Sequence, residues 1–375
     1  MNLSTVIIPI IVSTVLTALM IPFFIRLSYK KRLFDFENER TVHKGVIPRL
    51  GGGAFVLAVM ITIALSLVMV KPDNYDCMMI DGPEDMVGYG GLMCSVILIF
   101  LVGILDDLLT LNYKYKFLSQ LISAVLMVFV GGVWINNFGG LLGVEEANPW
   151  FCKIFSVLLV MYMVNAFNLI DGIDGLASSL GIVVTLVMGV SFFVTNQLLM
   201  SMLSFVLASS LIVFFCFNKF GKVEKHTKIF MGDGGSQTMG LIIAFLLIYM
   251  SKHKGGESVD MVAKMLVFSF CLVIIPCFDA VRVMVSRMLR GSNPFVADQT
   301  HIHHKFLSLG YNHTTTLIAI TIINLFFVVS NIVFMESEIG VSATVKMNII
   351  LFFDVAVWCM IQTYLNGRIK RFKGR

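Results

Sequence analysis

The stretch Asn165-Ala-Phe-Asn-Leu-Ile-Asp-Gly-Ile-Asp-Gly-Leu176 closes an apolar run over residues 150–169 and leads into another over 176–195. Two amides and two carboxylates therefore stand at the end of a segment long enough to cross about 30 Å of hydrocarbon, which takes roughly 17 to 25 residues. Working outward, further segments of this kind lie near residues 3–27, 50–70, 88–108, 117–135, 198–217, 235–250, 262–284, 315–335 and 345–366, making eleven in all. With 57% hydrophobic and only 14% charged residues in a chain of 375, the composition is too apolar for a soluble domain and the chain too long for a single anchor. It reads as an all-α polytopic membrane protein of one domain, residues 1–375, because no linker-like tract or fixed-period repeat divides it. The first segment lacks a basic leader and exceeds a signal-peptide core, so it is expected to be a retained helix.

Basic residues set the orientation. Of the 28 Lys and Arg, 22 fall within residues 26–49, 109–116, 218–228, 282–305 and 367–375. Those connections are expected on the cytoplasmic side. Eleven crossings then place the N-terminus outside and the tail Arg368-Ile-Lys-Arg-Phe-Lys-Gly-Arg375 inside, while Asp73, Asp76, Asp81, Glu84 and Asp85 mark an outer connection. The net charge of +5 thus reports topology rather than nucleic-acid binding. The seven cysteines show no CxxC or metal-ligand spacing and read as apolar packing residues.

Under this topology Asp106-Asp107, the Asn165–Asp174 cluster and Asp233 all reach the cytoplasmic face, in connections near 28–49, 106–116, 168–175, 218–235 and 285–314. A single acid at a helix end is ordinarily solvated; several converging on one face point to a site. In Asn165-x-x-Asn168-x-x-Asp171-x-x-Asp174 the spacing of three keeps the side chains near one face if the backbone is helical, although Gly172 and Gly175 can end the helix. Clustered oxygen donors suit a hard cation, Mg²⁺ or Mn²⁺; helix capping is the structural alternative. Phe230-Met-Gly-Asp-Gly-Gly-Ser236 joins an acid to glycines that let backbone N–H groups approach a phosphate, without being a P-loop. His301-Ile-His303-His304, with Arg282, Arg287, Arg290 and Lys305 nearby, suits a diphosphate better than a zinc ion.

Five motifs together, Pro48-Arg-Leu-Gly-Gly52, Gly103-Ile-Leu-Asp-Asp107, Asn165 to Leu176, Phe230 to Ser236, and Pro294-Phe-Val-Ala-Asp-Gln-Thr-His-Ile-His-His304, resemble the polyprenyl-phosphate N-acetylhexosamine-1-phosphate transferases, in the family's order. The His-Ile-His-His form resembles the branch that initiates surface polysaccharides more than the peptidoglycan-precursor translocase. The resemblance implies transfer of a sugar 1-phosphate, by default N-acetylglucosamine 1-phosphate, from a UDP-sugar to undecaprenyl phosphate with release of UMP. It also implies a bacterial plasma-membrane enzyme whose active site faces the cytoplasm, and a homodimer is compatible with it. By similarity Asn168 and Asp233 hold Mg²⁺, with Mn²⁺ an alternative. Asp106 or Asp107 matches the proposed base, Asp171 and Asp174 organise the nucleotide end, and His301 acts in catalysis. Lys44, Asn165, Arg287, His303 and His304 contact substrate. An ion-coupled secondary transporter is the different-class alternative, since intramembrane acids also mark ion pathways; it expects those acids near the midplane.

Overall fold

The computed structural model describes residues 4–31, 33–35, 47–69, 83–253, 255–291 and 300–373; Lys44 lies outside them. The chain is helical, apart from one two-stranded antiparallel ribbon of β1 (Phe34–Asp35) and β2 (Ile47–Pro48) among the described residues. Nine of the described helices are long and apolar enough to cross a membrane, ten if one bent pair counts as a single span. A shorter apolar stretch, Gly51–Ser66, adds to these. Each of the eleven apolar segments read from the sequence falls on a helix or a helix pair.

The chain divides into two compact units. The first comprises residues 1–133 and 156–246. It holds α1 (Ser4–Lys31), α2 (Gly51–Met69), α3 (Pro83–Leu109), α4 (Tyr113–Val125), most of α5 (Pro149–Ile170), α6 (Leu176–Val194), α7 (Leu198–Phe220) and most of α8 (Gly232–Ser251). Helix α8 is buried on all sides, as an all-round apolar helix must be when it forms a core. Elsewhere the usual soluble pattern is inverted. Helix α4 turns Leu118, Leu121, Ile122 and Val125 outward and buries Ser119, Gln120 and Ser123. Lipid offers polar groups no partner, so they face inward and join helices. Ser95 of α3 and Ser123 of α4 each donate a hydroxyl to the other's carbonyl, at 2.8 and 3.1 Å. Ser13 and Thr17 of α1 meet Ser210 of α7 at 2.5 and 2.9 Å.

The second unit comprises residues 134–155 and 247–375. It holds α9 (Val259–Cys271), α10 (Ile274–Leu289), the short α11 (Ile302–Ser308), α12 (His313–Glu336) and α13 (Ala343–Lys373). Its core joins Val262, Ala263, Leu266 and Val267 of α9 to Met335 of α12 and Ala343, Met347 and Ile350 of α13. Lys346 closes the end of α12 by donating to the carbonyls of Met335, at 3.2 Å, and Ser337. One sequence expectation needs correction here. The single span over 262–284 is broken, with α9 and α10 meeting at 75°. Pro276 is the cause: it has no N–H, and its ring collides with the carbonyl four residues back, at Leu272, so the helix stops at Cys271 and restarts at Ile274.

Candidate active site at the ends of α3, α5 and α8

The first unit brings four of the sequence motifs together. The segment after β2 runs alongside the entry to α8: Phe230 N donates to Pro48 O at 2.8 Å, Gly51 N to Phe230 O at 2.9 Å and Gly52 N to Met231 O at 2.7 Å. Pro48-Arg-Leu-Gly-Gly52 is thus the brace that fixes where α8 begins. On the other side α3 packs backbone to backbone against the same turn. A Cβ placed on Gly103 would lie 2.5 Å from Gly234 Cα and 2.8 Å from its nitrogen. Gly103→Ala is therefore expected to push α3 off α8 and to destabilise the protein by about 1–3 kcal/mol. Thermal unfolding of the purified variant measures this, and an unchanged midpoint would contradict the packing described.

With the helices held this close, Asp107 reaches the N-terminus of α8. Its Oδ1 accepts from Asp233 N at 2.8 Å and its Oδ2 from Gly234 N at 3.0 Å. This is a helix cap supplied by another helix, and it places a negative charge where the macrodipole favours one. Both oxygens of Asp107 are thereby committed to holding Asp233 in place. Asp106 faces a different set of groups. Its Oδ1 accepts from Leu111 N at 2.8 Å and its Oδ2 lies 2.5 Å from Lys116 Nζ. The same ammonium is 2.6 Å from Asp233 Oδ2. The other Asp233 oxygen accepts from Asn168 Nδ2 at 3.2 Å, and that amide also donates to Ser236 at 2.8 Å.

Asp106, Asp107 and Asp233 each offer one oxygen, all within 4.8 Å of one another. The donor set fits a hard dication, and the Lys116 ammonium bridging Asp106 to Asp233 shows that the cluster attracts positive charge. Of the expected pair, Asp233 belongs to the cluster and Asn168 lies beside it. Asn168 offers its NH₂ rather than its oxygen to Asp233, so it would serve as a ligand only with its amide turned.

The Asn165–Asp174 run does not continue as one helical face. Helix α5 ends at Ile170, and the chain turns through Gly172 to Gly175, which has φ +83. Asn165 sits inside α5 and exchanges hydrogen bonds with Gln120 of α4, 2.6 Å from Asn165 Nδ2 to Gln120 Oε1; Gln120 in turn donates to Gln237 of α8 at 3.1 Å. Asp171 has no hydrogen-bond or ion-pair partner among the described residues. Burial, reinforced by the charges of Asp174, Asp233 and Asp107, pushes its pKa up to about 8. Asp174 is paired with Lys228 at 2.6 Å. Asn218 organises this pair by accepting from Lys228 Nζ through its carbonyl at 2.6 Å and from Gly175 N through Oδ1 at 2.6 Å.

In the second unit the histidine segment is anchored by Asp279 of α10, a residue the motifs did not single out. Asp279 accepts from Arg282 Nη2 at 2.8 Å and from Ile302 N at 3.1 Å, and its Oδ2 lies 2.9 Å from His301 Nδ1. Arg287 is buried near the end of α10 at 3% exposure. His303 is buried, with neither ring nitrogen partnered among the described residues, and desolvation with its neighbouring histidines pushes its pKa down to about 3. It is a neutral ring. His304 packs on it with ring centroids 4.3 Å apart. Lys305 donates to Gln362 of α13 at 2.6 Å, and burial lowers its pKa to about 8.

Fold and site together define a multi-pass helical membrane protein with a cation-attracting acidic cluster at helix ends. Residues 89–251 match the model of glycosyl transferase family 4. The chain is 26% identical over 351 residues to the "Probable undecaprenyl-phosphate N-acetylglucosaminyl 1-phosphate transferase" of Bacillus subtilis (strain 168), covering 93% of this chain and 90% of that protein. It is 25% identical over 303 residues to the undecaprenyl-phosphate alpha-N-acetylglucosaminyl 1-phosphate transferase of Yersinia pestis, covering 79% and 75%. Against the protein of that name in Escherichia coli (strain K12) it is 26% identical over 324 residues, covering 86% and 82%. By these similarities the chain resembles the polyprenyl-phosphate N-acetylhexosamine-1-phosphate transferases.

Proposed function

We propose that the protein transfers N-acetylglucosamine 1-phosphate from UDP-N-acetylglucosamine to undecaprenyl phosphate, releasing UMP, as the first step of a cell-surface polymer. The observation that carries this reading is the gathering of Asp106, Asp107, Asp233 and Asn168, from three separate motifs, into one cluster. Their position supports it as well: Asp106 and Asp107 lie in the last turn of α3, Asn168 in the last turn of α5 and Asp233 in the first turn of α8. Surface chemistry on a lipid phosphate needs acids at helix ends, whereas an ion carrier places them near mid-membrane.

In this reading a lipid-phosphate oxygen attacks the sugar-bearing phosphorus of the nucleotide, and the bond to UMP breaks. The nucleophile is already ionised near neutral pH, which favours direct attack over a double displacement through an aspartyl phosphate. Mg²⁺ held by Asp233 and Asp106, with Asp107 and a turned Asn168 beside it, would neutralise the diphosphate and the departing UMP. Asp107 keeps Asp233 in register, and Lys116 balances the cluster's charge. Asp171 and the Asp174–Lys228 pair shape the nucleotide end. Arg287, His301 and His304 engage phosphate and sugar, while neutral His303 supports the neighbouring rings. Purified protein given undecaprenyl phosphate and a panel of UDP-sugars should release UMP with UDP-N-acetylglucosamine; no UMP from any sugar, alongside ion-driven uptake in vesicles, would instead support a carrier.

The site is placed on the cytoplasmic face of a bacterial plasma membrane, with the N-terminus outside and eleven crossings, on the strength of the basic connections. In a cysteine-free background, single cysteines at Ser308 and Gly367 should resist an impermeant thiol reagent applied to intact cells, and one at Asp76 should react. Labelling of Ser308Cys from outside would reverse the topology.

A further inference from the structure

Asp279 is 1% exposed within an apolar helix, a position where an ionised carboxylate is costly unless donors surround it. It has them. Oδ1 accepts from Arg282 Nη2 at 2.8 Å and Nε at 3.3 Å and from Ile302 N at 3.1 Å. Oδ2 is 2.9 Å from His301 Nδ1 and 3.2 Å from Ile302 N. Arg282 also donates from Nη2 to Thr300 O at 2.5 Å. The backbone on both sides of His301 and the ring itself are thus tied to one carboxylate–guanidinium pair on α10. Beside it the His303 ring lies nearly parallel, 8° off and 5.8 Å away, which limits rotation of the His301 plane.

A carboxylate on Nδ1 keeps that nitrogen protonated and leaves Nε2 as the ring atom that meets a ligand, as acceptor in the neutral ring and as donor in the cation. Nε2 of His301 has no partner among the described residues. We propose that Asp279 is the positioning residue of the histidine segment: it fixes the tautomer and plane of His301 so that Nε2 is presented to a phosphate or sugar oxygen of the nucleotide sugar. This rests on the reading above that His301 contacts substrate. It assigns to Asp279 no contact with the reacting atoms.

The test joins a spectroscopic readout to kinetics on the full-length protein. In ¹⁵N-histidine-labelled protein, the His301 signal, identified by its loss in His301→Gln, should show protonated Nδ1 in the wild type and a mixture of tautomers in Asp279→Asn. The asparagine is isosteric and can still accept from Ile302 N and Arg282. UMP release should fall about 10- to 100-fold in Asp279→Asn, mainly through kcat. The double variant with His301→Gln should be no worse than His301→Gln alone, since Asp279 acts through that ring. Arg282→Gln separates support of the loop from orientation of the ring. It removes the guanidinium partner of Asp279 but keeps the contacts to His301 and Ile302 N, and should lower the unfolding midpoint while leaving the His301 tautomer protonated at Nδ1. An unchanged His301 signal in Asp279→Asn, or a double variant whose loss is the product of the two single losses, overturns the proposal. Full activity of His301→Gln overturns instead the reading of the segment on which it rests, and the nitrogen spectra distinguish that case.

Discussion

Asp233→Ala is expected to abolish turnover, lowering UMP release by about 10³-fold or more, the scale seen when one preorganised charge-stabilising group is removed from a transition state. Asp233 is the point where the cluster's contacts converge: Lys116 at 2.6 Å, Asn168 at 3.2 Å and, through its own N–H, Asp107 at 2.8 Å. Removing its carboxylate leaves the diphosphate charge without its principal counter-charge once a dication is lost. The loss should therefore resemble metal depletion. Wild-type protein in EDTA should be as inactive as the variant, and Mg²⁺ or Mn²⁺ should restore the wild type alone. Full turnover in EDTA, or a wild-type rate from the alanine variant, would remove Asp233 from any metal site.

Asp107→Ala is expected to fail for a different reason. Both its oxygens accept backbone N–H groups at the start of α8, so alanine uncaps that helix and leaves two donors unpaired where water has limited access. The cost should be about 1–2 kcal/mol of stability, accompanied by a loss of about 100-fold in kcat because Asp233 is no longer held in register. Asp107→Asn, which retains one acceptor, should fall between the wild type and alanine in both measurements. Thermal unfolding and UMP release on the same preparations decide the matter. A dead but fully stable Asp107→Ala protein would make Asp107 a chemical group rather than an anchor, and would transfer the structural role elsewhere.

Much of this was legible in the sequence, and what was missed has physical causes. Apolar length alone locates helices in lipid, since the backbone must satisfy its hydrogen bonds within each span; each of the eleven segments falls on a helix or a helix pair accordingly. The break between α9 and α10 is also written in the chain, at Pro276, but hydropathy carries no measure of a proline ring's clash with the carbonyl four residues back. The acid motifs were found because carboxylates are conspicuous among apolar residues. Their partners were not. Lys116 and Asp233 are 117 positions apart, and Lys228 and Asp174 are 54 apart, so each lysine looked like an ordinary basic loop residue that only reported orientation. One local signal was available for the first of them. Lys116, Gln120 and Ser123 recur at helical spacing along α4, opposite its exposed Leu118, Leu121 and Val125, which in lipid marks a face turned to the protein interior. The regular spacing from Asn165 to Asp174 misled in the other direction, because two glycines ended the helix at Ile170 before the second pair of side chains could share its face.

The central claim is that the phosphate attached to the sugar travels with it. Undecaprenyl phosphate incubated with the purified protein, Mg²⁺ and UDP-N-acetylglucosamine labelled with ³²P at the sugar-bearing phosphate tests this directly. The label should pass into the organic-extractable lipid, with one UMP released for each lipid labelled. Label remaining in soluble UDP while sugar enters the lipid would show transfer of the sugar without its phosphate and would contradict the account.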